Sequence, residues 1–134
     1  MMSEAYTVRN LADVDDAAPG NGLGEFWEAR VARTALAAEQ TGISFFRLRP
    51  GRRSAFAHRH DEAEEIYVIL RGRGRMKLGD ELVEVGPLDA VRVAPRVVRA
   101  LEAGADGLDF LVVGAHHPGD GELVDDGWAG GAGS

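Results

Sequence analysis

Glycine recurs between short apolar runs along most of this chain, and that spacing limits the fold more than any other feature. Eighteen glycines in 134 residues separate segments of about four to eight residues rich in Val, Ile, Leu and Phe, the pattern of short strands joined by tight turns. Strands are expected over 42–49, 65–70, 75–78, 81–85, 90–93, 97–101 and 108–113. Gly72 and Gly74 close the 65–70 strand, and Gly79-Asp80 is a two-residue hairpin turn. Pro95, which has no amide to donate, stops the 90–93 strand. Asp106-Gly107 turns the chain into 108–113, which is apolar on both faces and reads as buried.

Segment 26–38 points two ways. Its Ala, Glu and Arg content suits a helix, whereas Ala29, Val31 and Arg33 alternate with Arg30, Ala32 and Thr34 as in a strand. The clear strand that follows tips the reading to a strand, with a hairpin through 39–42. Residues 1–24, acidic and broken by Pro19-Gly20-Asn21-Gly22, read as an arm with one short strand at 6–8. From Pro118 onward Gly, Asp and Ala dominate, giving a tail that is expected to be disordered over 130–134. Trp128 is the tail residue suited to packing back. The expected organisation is an arm (1–24), one all-β barrel (25–117) and a tail (118–134).

Chemistry is visible in one stretch, 51–72. His58 and His60 are two apart, so both imidazoles share a face of an extended strand. Glu65 opens the next strand and shares its face with Tyr67 and Ile69. A tight turn at 61–64 is expected to fold that strand back beside the first, gathering two imidazoles and a carboxylate on one inner surface. Two His and one carboxylate on one side of an ion suit Fe(II) and related divalent metals.

Gly51, His58-x-His60, Glu65 and Gly72 together resemble the first motif of the cupins. The stretch 85–104, with Pro87, Asp89 and Pro95, resembles their second motif, and the two cover roughly 25–104. The resemblance implies a cupin-type double-stranded β-helix, or jelly-roll, barrel enclosing a pocket. It implies a divalent metal (Fe, Mn, Ni or Zn) on His58, His60 and Glu65. It also implies a homodimer, because such barrels cover edge strands with a sheet face or an exchanged N-terminal strand. The second motif departs from the family's pattern. Arg99 stands where the metal-binding His is expected, and a shift of one residue puts Ala100 there instead. Leu88 and Arg96 occupy places where glycine is usual. On either alignment the fourth protein ligand is missing.

Arg99 opens two routes. Its guanidinium pairs with Glu65 in a bidentate fork and satisfies the site without metal, or it points past the metal and binds an anionic substrate. An outward-facing surface arginine is the plain alternative. Tyr67, on the face of Glu65, is a candidate hydrogen-bond donor to a ligand, against the ordinary reading of a core aromatic. His116 and His117 follow the last strand and are weaker ligand candidates. Ser44 and Ser54 carry no mark of an activated nucleophile, and no Gly-x-Ser-x-Gly is present.

The net charge of −7 argues against nucleic-acid and anionic-membrane partners. With no cysteine, disulfides, thiolate metal sites and Cys nucleophiles are excluded. No apolar run approaches the ~20 residues of a membrane span, and without a signal-like N-terminus a cytoplasmic protein is expected. Three functional classes follow, the first two for a barrel that binds a small organic molecule and the third for one whose pocket is vestigial. The first is a metal-dependent isomerase, lyase or dioxygenase with Arg99 and Tyr67 contacting substrate. The second is a metal-free binding or sensing module. The third is a mainly structural dimer.

Overall fold

The structure is a computed structural model and describes residues 5–124; Trp128 and the 130–134 segment lie outside the described residues. Among these residues the strands are β1 (Trp27–Val31), β2 (Thr41–Leu48), β3 (Ala57–His60), β4 (Glu65–Leu78), β5 (Glu81–Val85), β6 (Ala90–Val93), β7 (Arg99–Ala115) and β8 (Gly121–Val124). Every pairing between them is antiparallel. Strand β7 runs beside β2, β3 and β4, while β4 also pairs with β5 and β6. The sheet thereby curls into a jelly-roll barrel, as expected.

Period-two alternation aims the core. On β2, Leu48 is fully buried beside the half-buried Phe46. Tyr67, Ile69 and Met76 of β4 meet Leu108 and Phe110 of β7 in the same cluster. The Gly79-Asp80 hairpin is formed, with Leu78 opposite Glu81, and β6 covers 90–93 as read.

Several local expectations are corrected. Gly72 and Gly74 do not end a strand, because β4 continues through both. A Cβ on Gly74 would sit 2.1 Å from the Glu102 carbonyl oxygen, and one on Gly72 equally close to that of Gly107. These glycines let two strand backbones approach closely. Asp106-Gly107 lies inside β7, where residues 104–107 bulge opposite Arg73 alone, a bulge that bends the strand. The 97–101 strand starts only at Arg99.

The strand read over 26–38 shrinks to β1. Residues beyond it wind into a turn, with Leu36 N–H donating to Ala32 O and Ala38 N–H to Arg33 O, so the helix-favouring composition prevails there. Segment 6–8 contributes only a bridge residue at Thr7, and 3₁₀ turns form at Leu11–Asp13 and Pro19–Asn21. Within the stretch read as a tail, Gly121–Val124 forms β8 and pairs with β3. Among the described residues no helix is long and apolar enough to cross a membrane.

Candidate metal centre and its cavity

The expected β3–β4 hairpin is absent. Strand β3 pairs with β7 and β8 instead, while β4 lies against β5, β6 and β7. In a jelly roll, consecutive strands commonly cross to the opposite sheet. The ligand residues therefore meet across the barrel interior rather than along a ladder. Alternation still turns His58 and His60 inward from β3 and Glu65 inward from the start of β4.

His58 Nε2 lies 3.3 Å from Glu65 Oε1, and His60 Nε2 lies 3.3 Å from Glu65 Oε2. One donor atom from each of the three residues falls within 4.8 Å of the others. Donors around an ion bonded at about 2.1 Å stand about 3 Å apart, so this spacing suits a divalent ion with little adjustment. Both ring nitrogens of His60 are buried and off the angle of a hydrogen bond, despite their short distances to carboxylates. A buried Nε2 with no hydrogen-bond partner, facing a carboxylate, is what a metal ligand requires.

Burial raises the pKa of Glu65, but the His58 hydrogen bond and the electrostatic pull of His58, His60 and Arg99 outweigh it. The carboxyl is thus held below its usual range. Tyr67 donates from its hydroxyl to Glu65 Oε1 at 3.1 Å. Desolvation, reinforced by the Glu65 charge, pushes its pKa well above the ordinary phenol value, so it remains a donor.

Arg99 points inward and is almost fully buried. Its Nη1 donates to Pro95 O at 3.0 Å and its Nη2 to Ala94 O at 3.3 Å. Only Nε approaches Glu65, at 3.7 Å from Oε1. The bidentate fork is therefore not formed. Both terminal nitrogens are bonded to the turn at 94–95, and one edge of Glu65 stays open toward His60. Ala100, the other alignment candidate, is buried in a small cluster with Ala57.

Asp120 was missed. Its carboxylate accepts from the backbone N–H groups of Asp61, Glu62 and Ala63 at 2.9–3.0 Å, and Oδ2 lies 3.3 Å from His60 Nδ1. Partial desolvation raises its pKa, and the three backbone hydrogen bonds, from Ala63, Glu62 and Asp61, more than compensate, leaving it lowered. This carboxylate caps the turn between β3 and β4 and sets a negative charge beside Nδ1 of His60 without a hydrogen bond to it. In sequence Asp120 sits in Pro-Gly-Asp-Gly, which reads as tail. The alternating Gly-Glu-Leu-Val that follows was the available signal for a strand there.

His117 Nδ1 lies 3.6 Å from the exposed Glu62, outside the ligand cluster. His116 and His117 both line a hollow that His60 and Glu65 also line. Ser54 Oγ accepts from Leu101 N–H, a structural bond.

A cavity of about 150 Å³ adjoins the cluster. His58, Glu65, Tyr67 and Arg99 form one end, and Trp27, Phe46, Phe56 and Phe110 line the rest. Trp27 and Phe46 have ring centroids 4.8 Å apart, and Phe46 stacks on Phe110 at 5.2 Å. The Trp27 indole N–H is buried with no hydrogen-bond partner, and its ring meets Phe56 edge to face.

Comparison with known proteins agrees with this architecture. The family described as Cupin domain matches residues 44–114. An uncharacterized protein of Methanocaldococcus jannaschii is 42% identical over 45 residues, 34% of this chain and 36% of that protein. The aligned stretch thus spans about a third of that relative's length. Among solved structures, a cupin protein from Bacteroides fragilis superposes with a TM-score of 0.69 at 25% identity, covering 88% of this chain and 89% of that one. A sugar phosphate isomerase of the cupin superfamily from Silicibacter pomeroyi gives a TM-score of 0.72 at 19% identity, covering 89% and 82%. Likeness at that identity concerns the fold.

Proposed function

This chain belongs to the cupin family, and on that premise we propose that it binds a divalent metal ion through His58, His60 and Glu65 and acts on a small organic molecule held in the adjoining cavity. The observation that carries the reading is the buried His60 Nε2, without a hydrogen bond and 3.3 Å from Glu65 Oε2. The bound ion supplies Lewis acidity or a site for O₂, consistent with an isomerase, lyase or dioxygenase class of reaction. The protein's own groups have separate tasks. Tyr67 holds a hydroxyl proton against Glu65 Oε1, and Asp120 orients His60. Arg99 offsets the charge of Glu65, while its bonds to Pro95 and Ala94 anchor it to the turn.

The metal-free reading draws on the same Arg99–Glu65 approach of 3.7 Å, in which a fixed cation takes the place of an ion. Elemental analysis after loading with Fe(II), Mn(II), Ni(II) or Zn(II) decides between them. About one equivalent of metal, lost in His60→Ala, is the expected result. No metal under any loading sinks the metal reading and leaves a binding or sensing barrel. A homodimer is proposed on the outer face of β4, where Ile66 and Leu70 are exposed; a light-scattering mass of one chain refutes it.

A further inference from the structure

The walls of the cavity say what kind of molecule it holds. We infer that its guest is a single aromatic ring carrying one or two ring oxygens, a phenol or a catechol, with the ring against Phe46 and Phe110 and the oxygen at the His58–Glu65 end. This rests on the reading that the His-Glu cluster is the working end of the cavity.

Three observations converge. First, the volume is about 150 Å³, and an apolar protein cavity of about that size holds one benzene ring. Second, the charged groups gather at one end, the other polar side chains of the lining being Ser44, Ser54 and the Trp27 indole N–H. Phe46 and Phe110 stack with an interplanar angle of 15°, Trp27 tilts against Phe46 at 51°, and Leu101 closes the same apolar wall. Flat aromatic walls suit a flat guest. Third, the cavity has one spare cationic N–H and no clamp: Arg99 Nε is buried without a hydrogen bond and lies 3.7 Å from Glu65 Oε1. Arg99 is the cavity's one guanidinium or ammonium group among the described residues, and its terminal nitrogens are bonded to Pro95 and Ala94 carbonyls. A phosphorylated sugar needs charge-assisted donors and polar walls along its length, and the aromatic wall provides neither. A ring oxygen needs only the His58–Glu65 end.

The test uses the full chain, both metal-free and loaded with Zn(II). Phenol, catechol and glucose 6-phosphate are titrated by calorimetry, and contacts are read by nuclear Overhauser effects between ligand ring protons and the Phe46 and Phe110 side chains. Phenol and catechol are expected to bind in both forms, with catechol gaining about tenfold on metal loading. Ser44 lines the same cavity, and Ser44→Phe, which fills it, is expected to weaken both by at least about tenfold. Should Ser44→Phe fail to fold, the Overhauser contacts in the parent chain decide alone. Failure of both aromatics to bind at millimolar concentration overturns the inference, as does binding of glucose 6-phosphate in their place. Aromatic binding without any metal uptake upholds the ring site while removing the metal reading. Metal uptake without aromatic binding overturns the ring site alone.

Discussion

Asp120 Oδ2 lies 3.3 Å from His60 Nδ1, on the ring edge opposite the one that faces Glu65. The same carboxylate ties down three successive N–H groups of the turn that joins the two ligand strands. Asp120→Asn keeps one oxygen for the turn but replaces the carboxylate beside the imidazole. It is expected to fold and to bind metal roughly 10–100-fold more weakly, with a changed His60 tautomer in ¹⁵N NMR spectra of the metal-free protein. Unchanged affinity together with an unchanged tautomer would show that Asp120 serves the turn alone.

We propose that Arg99 takes the position at which the cupin second motif has a further imidazole. It stands opposite His58 in register and places a fixed positive charge near the cluster. Arg99→His removes that charge and offers a fourth nitrogen, so metal affinity should rise at least about tenfold over the parent in a competitive chelator titration. The melting temperature should fall, because the bonds to Ala94 and Pro95 are lost with the long side chain. Affinity at or below that of the parent would refute the assignment of Arg99 to the missing-ligand position.

Glu102 gives the fold a predictable acid sensitivity. Desolvation raises its pKa, but hydrogen bonds from Arg53 and Arg75 prevail and set it below its ordinary value of 4.5. The folded chain therefore holds this group ionised where the unfolded chain has begun to protonate it. Its contribution is complete above the unfolded value and disappears as pH falls through the folded one. Glu102→Gln should be less stable than the parent at neutral pH, with the difference narrowing below pH 4.5 in denaturant titrations. A difference independent of pH would assign the effect to packing.

Leu88 adopts φ 69° and is among the most exposed apolar residues described. A side chain in left-handed backbone costs roughly 1–2 kcal/mol, partly offset by the extra unfolded-state entropy of glycine. Leu88→Gly should therefore stabilise the barrel by up to about 1 kcal/mol in equilibrium unfolding. A destabilised variant would show that Leu88 is covered, as by a second subunit.

The barrel was legible because period-two alternation and turn glycines are local signals, as the alternating burial of β6 and the Gly79-Asp80 hairpin before β5 show. The three metal-site candidates were legible for a related reason, since His58-x-His60 fixes two side chains on one face whichever strand lies next to it. What sequence could not give was pairing. Gly72, Gly74 and Gly107 look like turn residues whether they end strands or let strands cross closely, and only the approach of the Glu102 and Gly107 carbonyls distinguishes the two. The direction of Arg99 depended on carbonyl partners at 94 and 95, and Asp120 on a strand hidden in a glycine-rich stretch. Leu88 was an intermediate case, since the resemblance to the second motif marked a place for glycine and the positive φ supplied the reason.

Strand β8 has a consequence for the order in which the protein matures. On the ribosome, both imidazoles and Glu65 emerge well before Asp120 and Gly121–Val124, so a half-made chain carries the ligand residues without the segment that fixes the turn between them. Closing that segment onto β3 joins distant parts of the chain, and contacts of that kind form slowly because the intervening loop must first be ordered. The geometry of the candidate ligands is thus completed only once β8 has docked, and an ion that needs this arrangement meets it only then.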